Sequence, residues 1–523
     1  MMSLRSLLRH RVVLAFGAVL VVAACVISSN THGESQPTYA PSVVRAPMKV
    51  HMFDGSIVVF AQGGTIGGGQ VAGSGMRYVP TLKSATATTM VPLDSVVGVE
   101  TYDRTVNEGR TFLYSTVATA ATLVGAIAAA VAIFGSCPTI YADSAGTTVL
   151  QAESFSYSIA PLLEKRDVDR LSVVSDASGV VRVEVRNEAL ESHYIDQLEL
   201  LEVRHAPDEL VLPAARSGII AVRGATPPAS IRDRAGNDLH DVLAMADGRA
   251  FATDSSTLAR AARGGNSEDF IDIVVPKERG RDSIAVVLRA RSSLLTTMLF
   301  YDQMLAGQGA SALDYVGYDL QHVTKVAQLA RWYVNHLGLR VSVLTEGGRN
   351  EQQIVRLVDF GPAAWRDVAA IVPATADGDS VHIRLTFLAD EFRVDRVLVS
   401  SDLRAVEPRS ILVSRVLDGD DSPRPDVRDV LRKADDHRLQ TWPGQRFVAE
   451  YDVGRETPGM KRTYFIAAQG YYVEWMRGSW LTANPSPKPF TPWNEPIAPM
   501  LQRWLDTRDS LERTFFRQRV PIV

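Results

Sequence analysis

Cysteine is nearly absent. Cys25 and Cys137 are the only two in 523 residues, so no disulfide framework holds the chain and stability has to come from packing. An excess of either charge is missing too: 55 lysines and arginines face 59 aspartates and glutamates, a formal charge of -4. Nothing in that balance suggests a nucleic-acid binder, which would usually concentrate Lys and Arg on one face or tail, so no nucleic acid is expected as a partner. The ten histidines are scattered, with no His-Glu-x-x-His and no Cys-x-x-Cys to organise zinc. No Gly-x-Ser-x-Gly elbow marks a serine hydrolase. The glycines of GGTIGGGQVAGSGMRY lack a G-x-G-x-x-G register, a Gly-Lys-Ser/Thr ending and a following helix signal, so they read as turns between strands and not as a phosphate loop. No metal, no cofactor and no catalytic residue is therefore expected.

Charge also disappears between Arg110 and Asp143. Residues 111–136 would form a helix of roughly 39 Å, more than the ~30 Å that a bilayer core requires. Their composition is rich in Ala, Thr and Gly, which makes insertion weak per residue. Ala121, Gly125 and Ala129 recur at four-residue spacing, the small-xxx-small pattern that lets helix backbones approach. The segment is expected to associate with a membrane as a transmembrane helix, with docking on a helix partner or a second copy of the chain as the alternative. The flanking Arg104 and Arg110 would by themselves place the preceding region in the cytoplasm.

The N-terminus opposes that placement. Arg5, Arg9 and Arg11 precede an apolar run from Val12 to Ala24 and then Cys25, the layout of an export signal. Val22-Ala23-Ala24-Cys25 resembles the bacterial lipobox. The resemblance implies removal of residues 1–24, membrane lipid attached through Cys25, and a cell-envelope location, with Val26 in place of Asp implying the outer membrane or periplasmic side. Residues 25–47, rich in Ser, Pro and Thr, read as a disordered tether.

Beyond the tether the chain reads as mainly β with α. Residues 48–104 form a small antiparallel β domain, opened by a hairpin around Asp54-Gly55. Residues 137–290 read as a β-rich domain, 291–338 as a helical insertion closed by Gly338, and 339–405 as five alternating strands of a β-sandwich-like domain. Residues 406–523 hold a charged helix near 424–437, a strand pair and a C-terminal helix. Patches between 136 and 476, beginning with SCPTIYADSAG and including FGPAAWRDV, FRVDRVLVS and RTYFIAAQGYYVEW, resemble an uncharacterised group of predicted bacterial envelope proteins. That resemblance implies a location and no activity.

Candidate residues are few. His193, His205 and His240 lie near acidic loops and read as satisfied or exposed. Asp418 to Asp421 lack the spacing of a calcium loop and read as a solvated turn. Tyr464, Tyr471, Tyr472, Trp475, Trp480 and Trp493 read as a core seam, as does Trp365, and Cys137 as a packing residue. A non-enzymatic binding or scaffolding envelope protein is expected. The alternative is an envelope hydrolase acting on glycan or peptide, in which Glu153, Asp196 or Asp395 would bring two carboxyl groups about 5 to 9 Å apart.

Overall fold

The computed structural model describes residues 29–106, 138–474 and 496–517, apart from internal gaps of up to six residues. Cys25, Cys137, the apolar segment 111–136 with Ala121, Gly125 and Ala129, and Trp475, Trp480 and Trp493 lie outside the described residues. Among the described residues no helix is long and apolar enough to cross a membrane.

The N-terminal unit is one antiparallel sheet. Its strands run in the order Ser29–Gln36, Val96–Val106, Met48–Met52, Ile57–Phe60, Gln70–Tyr78, Gly64–Gly67, Ser42–Val44, and Ala85–Pro92 pairs with Gln70–Tyr78. Alternation puts Met48, Val50, Val58, Phe60, Val71 and Val99 on one buried side, where they form a core of their own. Gly68 and Gly69, at φ 61° and 77°, make the two-residue turn between Gly64–Gly67 and Gln70–Tyr78. Two successive positive φ values fit that tight hairpin and strain any other residue. The expected tether differs from this structure: Ser29–Gln36 pairs along Val96–Val106 and Ser42–Val44 pairs Gly64–Gly67. Backbone pairing there overrides a composition that lacks an apolar pattern.

Residues 138–474 fold as two β-sandwiches, one nested in the other. The first has an outer sheet ordered Thr147–Glu153, Thr139–Ser144, Val180–Arg186, Arg446–Asp452, Arg415–Asp418. Its inner sheet runs Lys165–Leu171, Lys461–Glu474, Glu191–His205, Arg409–Leu412, with Leu439–Thr441 also on Glu191–His205. Ile140, Val183 and Ala449 of the outer sheet pack against Leu198, Leu200 and Ile466 of the inner one. The chain leaves after His205, builds the second sandwich, and returns at Arg409, which lies opposite Glu202. The sheets therefore cut across the linear division expected at 290, 339 and 405.

The second sandwich pairs a near sheet with a far one. The near sheet is ordered Phe392–Ser400, Ser283–Ser292, Arg366–Pro373, Glu209–Ala214, Gly218–Arg223, Asp402–Val406; the far sheet is Ser230–Asp233, Glu268–Pro276, Ser380–Leu388, Leu339–Thr345, Asn350–Leu357. Val286, Leu288 and Val397 meet Ile273, Ile383 and Val341 between them. A third apolar cluster seals the two sandwiches: Leu201, Val203 and Phe465 against Val211, Ile219 and Ala221.

The helical insertion differs in detail from its periodic pattern. Among the described residues the α-helices Leu295–Met298 and Val323–His336 are separated by a π turn, Leu299–Leu305, and by 3-10 turns at Ala306–Ser311 and Asp319–Gln321. Gly307 and Gly309 weaken the helix there. Although the segment belongs to the second sandwich by sequence, Leu295, Leu299, Leu329 and Trp332 are buried in the core of the first. The C-terminal helix Ile497–Arg517 joins them through Leu501 and Trp504. Trp504 Nε1 donates to the buried Asp390 carboxylate at 2.7 Å, and Arg508 reaches the same oxygen at 3.2 Å.

Candidate binding site between the sandwiches

The chain crosses between the sandwiches at residues 205–209, and a cleft of about 710 Å³ opens at this crossing. One wall is the inner sheet of the first sandwich, with Arg170, His205 and Lys461 to Tyr464; the other is the near sheet of the second, with Glu209, Val211 and Val222. Junctions of this kind are where ligand sites most often form. Val174 and Met460 stand at the cleft while remaining 76% and 46% exposed. An apolar edge thus borders a polar floor.

On that floor His205 and Thr463 form a defined pair. His205 Nδ1 lies 2.9 Å from the carbonyl oxygen of Ala206, and Nε2 lies 2.8 Å from Thr463 Oγ1. A carbonyl only accepts, so Nδ1 carries the proton and the neutral ring receives the Thr463 hydroxyl proton at Nε2. Burial, aided by Lys461 and Arg170, lowers the imidazole below its ordinary pKa and keeps it neutral. Such a ring is a base oriented by its own backbone, with a hydroxyl in reach.

The charges around the pair are mostly balanced. Arg404 donates to both Glu209 oxygens at 3.0 and 2.9 Å, and Ala206 N adds a third bond. These hold the Glu209 carboxyl well below the usual range. Arg223 pairs with Asp208 at 2.8 Å. Arg170 Nε donates to the carbonyl of Val211. Lys461 Nζ donates to the carbonyl of Pro207 at 2.9 Å, so a strand of one wall holds the crossing loop of the other.

Below the cleft the sandwiches are locked by charge. Arg366 of the near sheet reaches Asp167 at 2.8 Å and Asp169 at 3.2 Å on the inner sheet. Asp367 is approached by Arg289 and Arg396, each at 3.0 Å, and by Arg170 at 3.7 Å. Trp365, half-buried, lies under Arg291 and Arg289 at the margin of this network.

The carboxylates singled out from sequence are not gathered in the cleft. Glu153 Oε2 accepts the N–H groups of Ala363 and Ala364 at 2.8 and 2.7 Å. Asp395 accepts Gly248 N and Arg289 Nε. Asp196 sits on a bulge in Glu191–His205, accepts Asp435 N and Gln469 Nε2, and is raised by burial to about 6. None of the three lines the cleft. His193 is buried against Glu191 at 2.7 Å, and desolvation lowers it to about 3. His240 is exposed at the start of a short helix. Asp418 pairs with Arg424 in a turn, and among the described residues no His, Cys, Asp and Glu cluster is placed to hold a metal. Tyr464, Tyr471 and Tyr472 are core residues.

Thr463 carries no signal in the sequence. It lies 258 positions from His205, and only the long antiparallel pairing of their strands makes them neighbours. His205 was visible as a histidine near acidic residues, but its partner was not.

No protein-family model and no curated protein matches the chain. Solved structures overlap it loosely. The C-terminal CBM6 of LamC, a marine laminarinase from Zobellia galactanivorans, is 8% identical over 38% of this chain and 98% of its own, with a TM-score of 0.14. A PA14 sugar-binding domain from an RTX adhesin is 12% identical over 41% and 96%, with a TM-score of 0.13. The GH31 alpha-xylosidase from Xanthomonas citri is 9% identical over 83% and 38%, with a TM-score of 0.16. Overlaps of that score are too loose to transfer a fold or a ligand to this chain.

Proposed function

We propose that this chain is a cell-envelope lipoprotein, held to membrane lipid through Cys25, that binds a partner non-enzymatically in the cleft between its sandwiches. The observation that carries the binding role is the cleft itself: about 710 Å³ at the crossing of two sandwiches, with Val174 and Met460 exposed beside a hydrogen-bonding floor. Such a site takes a ligand with both an apolar part and polar groups, as peptides and glycan strands have.

Equilibrium binding of short peptides and of soluble cell-wall glycan strands tests the site, with wild type compared against Val174→Asp with Met460→Asp. Saturable binding lost in the double variant supports the cleft; binding unchanged by it places the site elsewhere. The anchor is tested by palmitate labelling of wild type and Cys25→Ala, with protease accessibility of a C-terminal tag in cells and spheroplasts. Unlabelled wild-type protein would end the lipoprotein reading.

One observation favours hydrolysis as a second reading. The neutral His205 ring accepting from the Thr463 hydroxyl is the arrangement that an activated oxygen nucleophile requires. Ester or peptide turnover that is lost in Thr463→Ala and in His205→Gln would favour it. Turnover indifferent to both substitutions would sink it.

A further inference from the structure

Among the described residues one edge of the N-terminal sheet is built differently from the other sheet edges. Ala85–Pro92, with the sequence ATATTMVP, pairs on one side with Gln70–Tyr78, and among the described residues nothing pairs with its other side. Thr86, Ala87, Thr89 and Met90 are exposed, Met90 at 53%. Its outward N–H and C=O groups are therefore a template for another strand.

Charge on an edge is a common guard against such pairing. Among the described residues, every other edge strand longer than three residues carries at least one charge, as with Glu34, Lys165, Asp402, Asp418 and Glu351. The two uncharged exceptions, Ser42–Val44 and Leu439–Thr441, have only three residues each. Ala85–Pro92 has eight residues, no charge, and no proline before its last position. Among the described residues this edge alone combines length with neutrality.

We propose that Ala85–Pro92 pairs antiparallel with the same strand of a second copy of this chain, joining two N-terminal sheets across a two-fold axis. Neutrality selects the occupant. A charged partner strand finds no counter-charge here, and alanine and threonine offer no pocket for a specific side chain. The strand meets its own copy without like-charge repulsion, and threonine side chains paired across strands are favourable. The interface is isologous, so it closes at the dimer. It is independent of the cleft and of what the cleft binds.

The test uses the full chain in detergent. Sedimentation gives its mass as a function of concentration, and amide hydrogen exchange is followed over residues 85–92. Dimers are expected, with slow exchange at 85–92 that is lost on dilution. Ala87→Lys with Thr89→Lys, both at exposed positions, should raise the dissociation constant at least about tenfold. Thr89→Val, which keeps the edge neutral and suits a strand, should leave it unchanged. An unchanged circular dichroism spectrum checks that the lysine variant still folds. A wild-type monomer, or a dimer that survives both lysines with 85–92 unprotected, would overturn the proposal. Protection of 85–92 in a monomer would overturn it as well, because the chain would then be covering its own edge.

Discussion

Glu391 shows how one carboxyl records the nested fold. It is fully buried, and burial pushes it up to about 7, although the N–H groups of Gly338 at 2.7 Å and Leu388 at 3.2 Å favour its ionised form. Its ordinary value is 4.5, so between pH 4.5 and 7 the folded chain keeps a proton that the unfolded chain has released. Its contribution to stability is therefore greatest at the acidic end of this window and falls as pH rises through it, by about 3 kcal/mol for a shift of this size. Asp196, raised from 3.8 to about 6, slopes the same way over a lower range. His193, lowered to about 3, and the lowered His205 slope the opposite way below about pH 6.5, so the Glu391 contribution is read as a difference: in thermal unfolding across this window Glu391→Gln should gain on wild type as pH rises, and an equal slope in the variant would assign the effect elsewhere. Gly361 is a second single-residue constraint. A Cβ there would lie 2.1 Å from Glu153 Oε2, so Gly361→Ala must displace the carboxylate from Ala363 and Ala364 N–H. A loss of about 2 kcal/mol is expected by urea titration, and Glu153→Gln in the same background should add little, because the bonds are already broken.

Elements are held in place by a few such contacts, and the C-terminal helix depends on one of them. Asp390 accepts from Trp504 Nε1, and from Arg508 and Arg393. Asp390→Ala leaves a buried indole N–H without its partner and is expected to cost about 3 kcal/mol. Asp390→Asn keeps an acceptor, tolerates the left-handed φ of 66° at this position, and should cost less. Limited proteolysis should then release the helix from the alanine variant first. Periodicity made this helix legible in the sequence: Leu501, Trp504 and Leu505 recur at three and four spacing. It made the strands of 339–405 legible too. It did not show that Leu339–Thr345 and Ser380–Leu388 belong to one sheet while Arg366–Pro373 and Phe392–Ser400 belong to the other. Alternation marks which side chains are buried and is silent about the neighbouring strand. For the same reason the cleft was not legible, since its His205 and Thr463 meet only through register.

At the scale of the whole molecule, residues 138–474 are two sandwiches that cannot be separated where the chain crosses between them. Apolar contacts at Leu201 and Phe465 and the Arg366 pairs with Asp167 and Asp169 join their facing sheets, but the deeper tie is the helical insertion. Leu295, Leu299, Phe300, Leu329, Trp332 and Tyr333 are encoded between two strands of the second sandwich and buried in the core of the first. Each such side chain contributes about 1.5–3 kcal/mol through burial, so the loss of all of them is comparable to the whole net stability of an ordinary domain. Residues 209–406 expressed alone should therefore keep strand-rich circular dichroism yet bind a hydrophobic dye strongly and self-associate, since this surface loses its cover. Leu329→Ala with Trp332→Ala in the full chain should lower the urea midpoint of both sandwiches together, read separately by hydrogen exchange at Val183 and Ile383. A fragment that is monomeric and dye-silent, or a double variant that loosens only one sandwich, would show instead that the two fold independently and that the insertion merely rests on its neighbour.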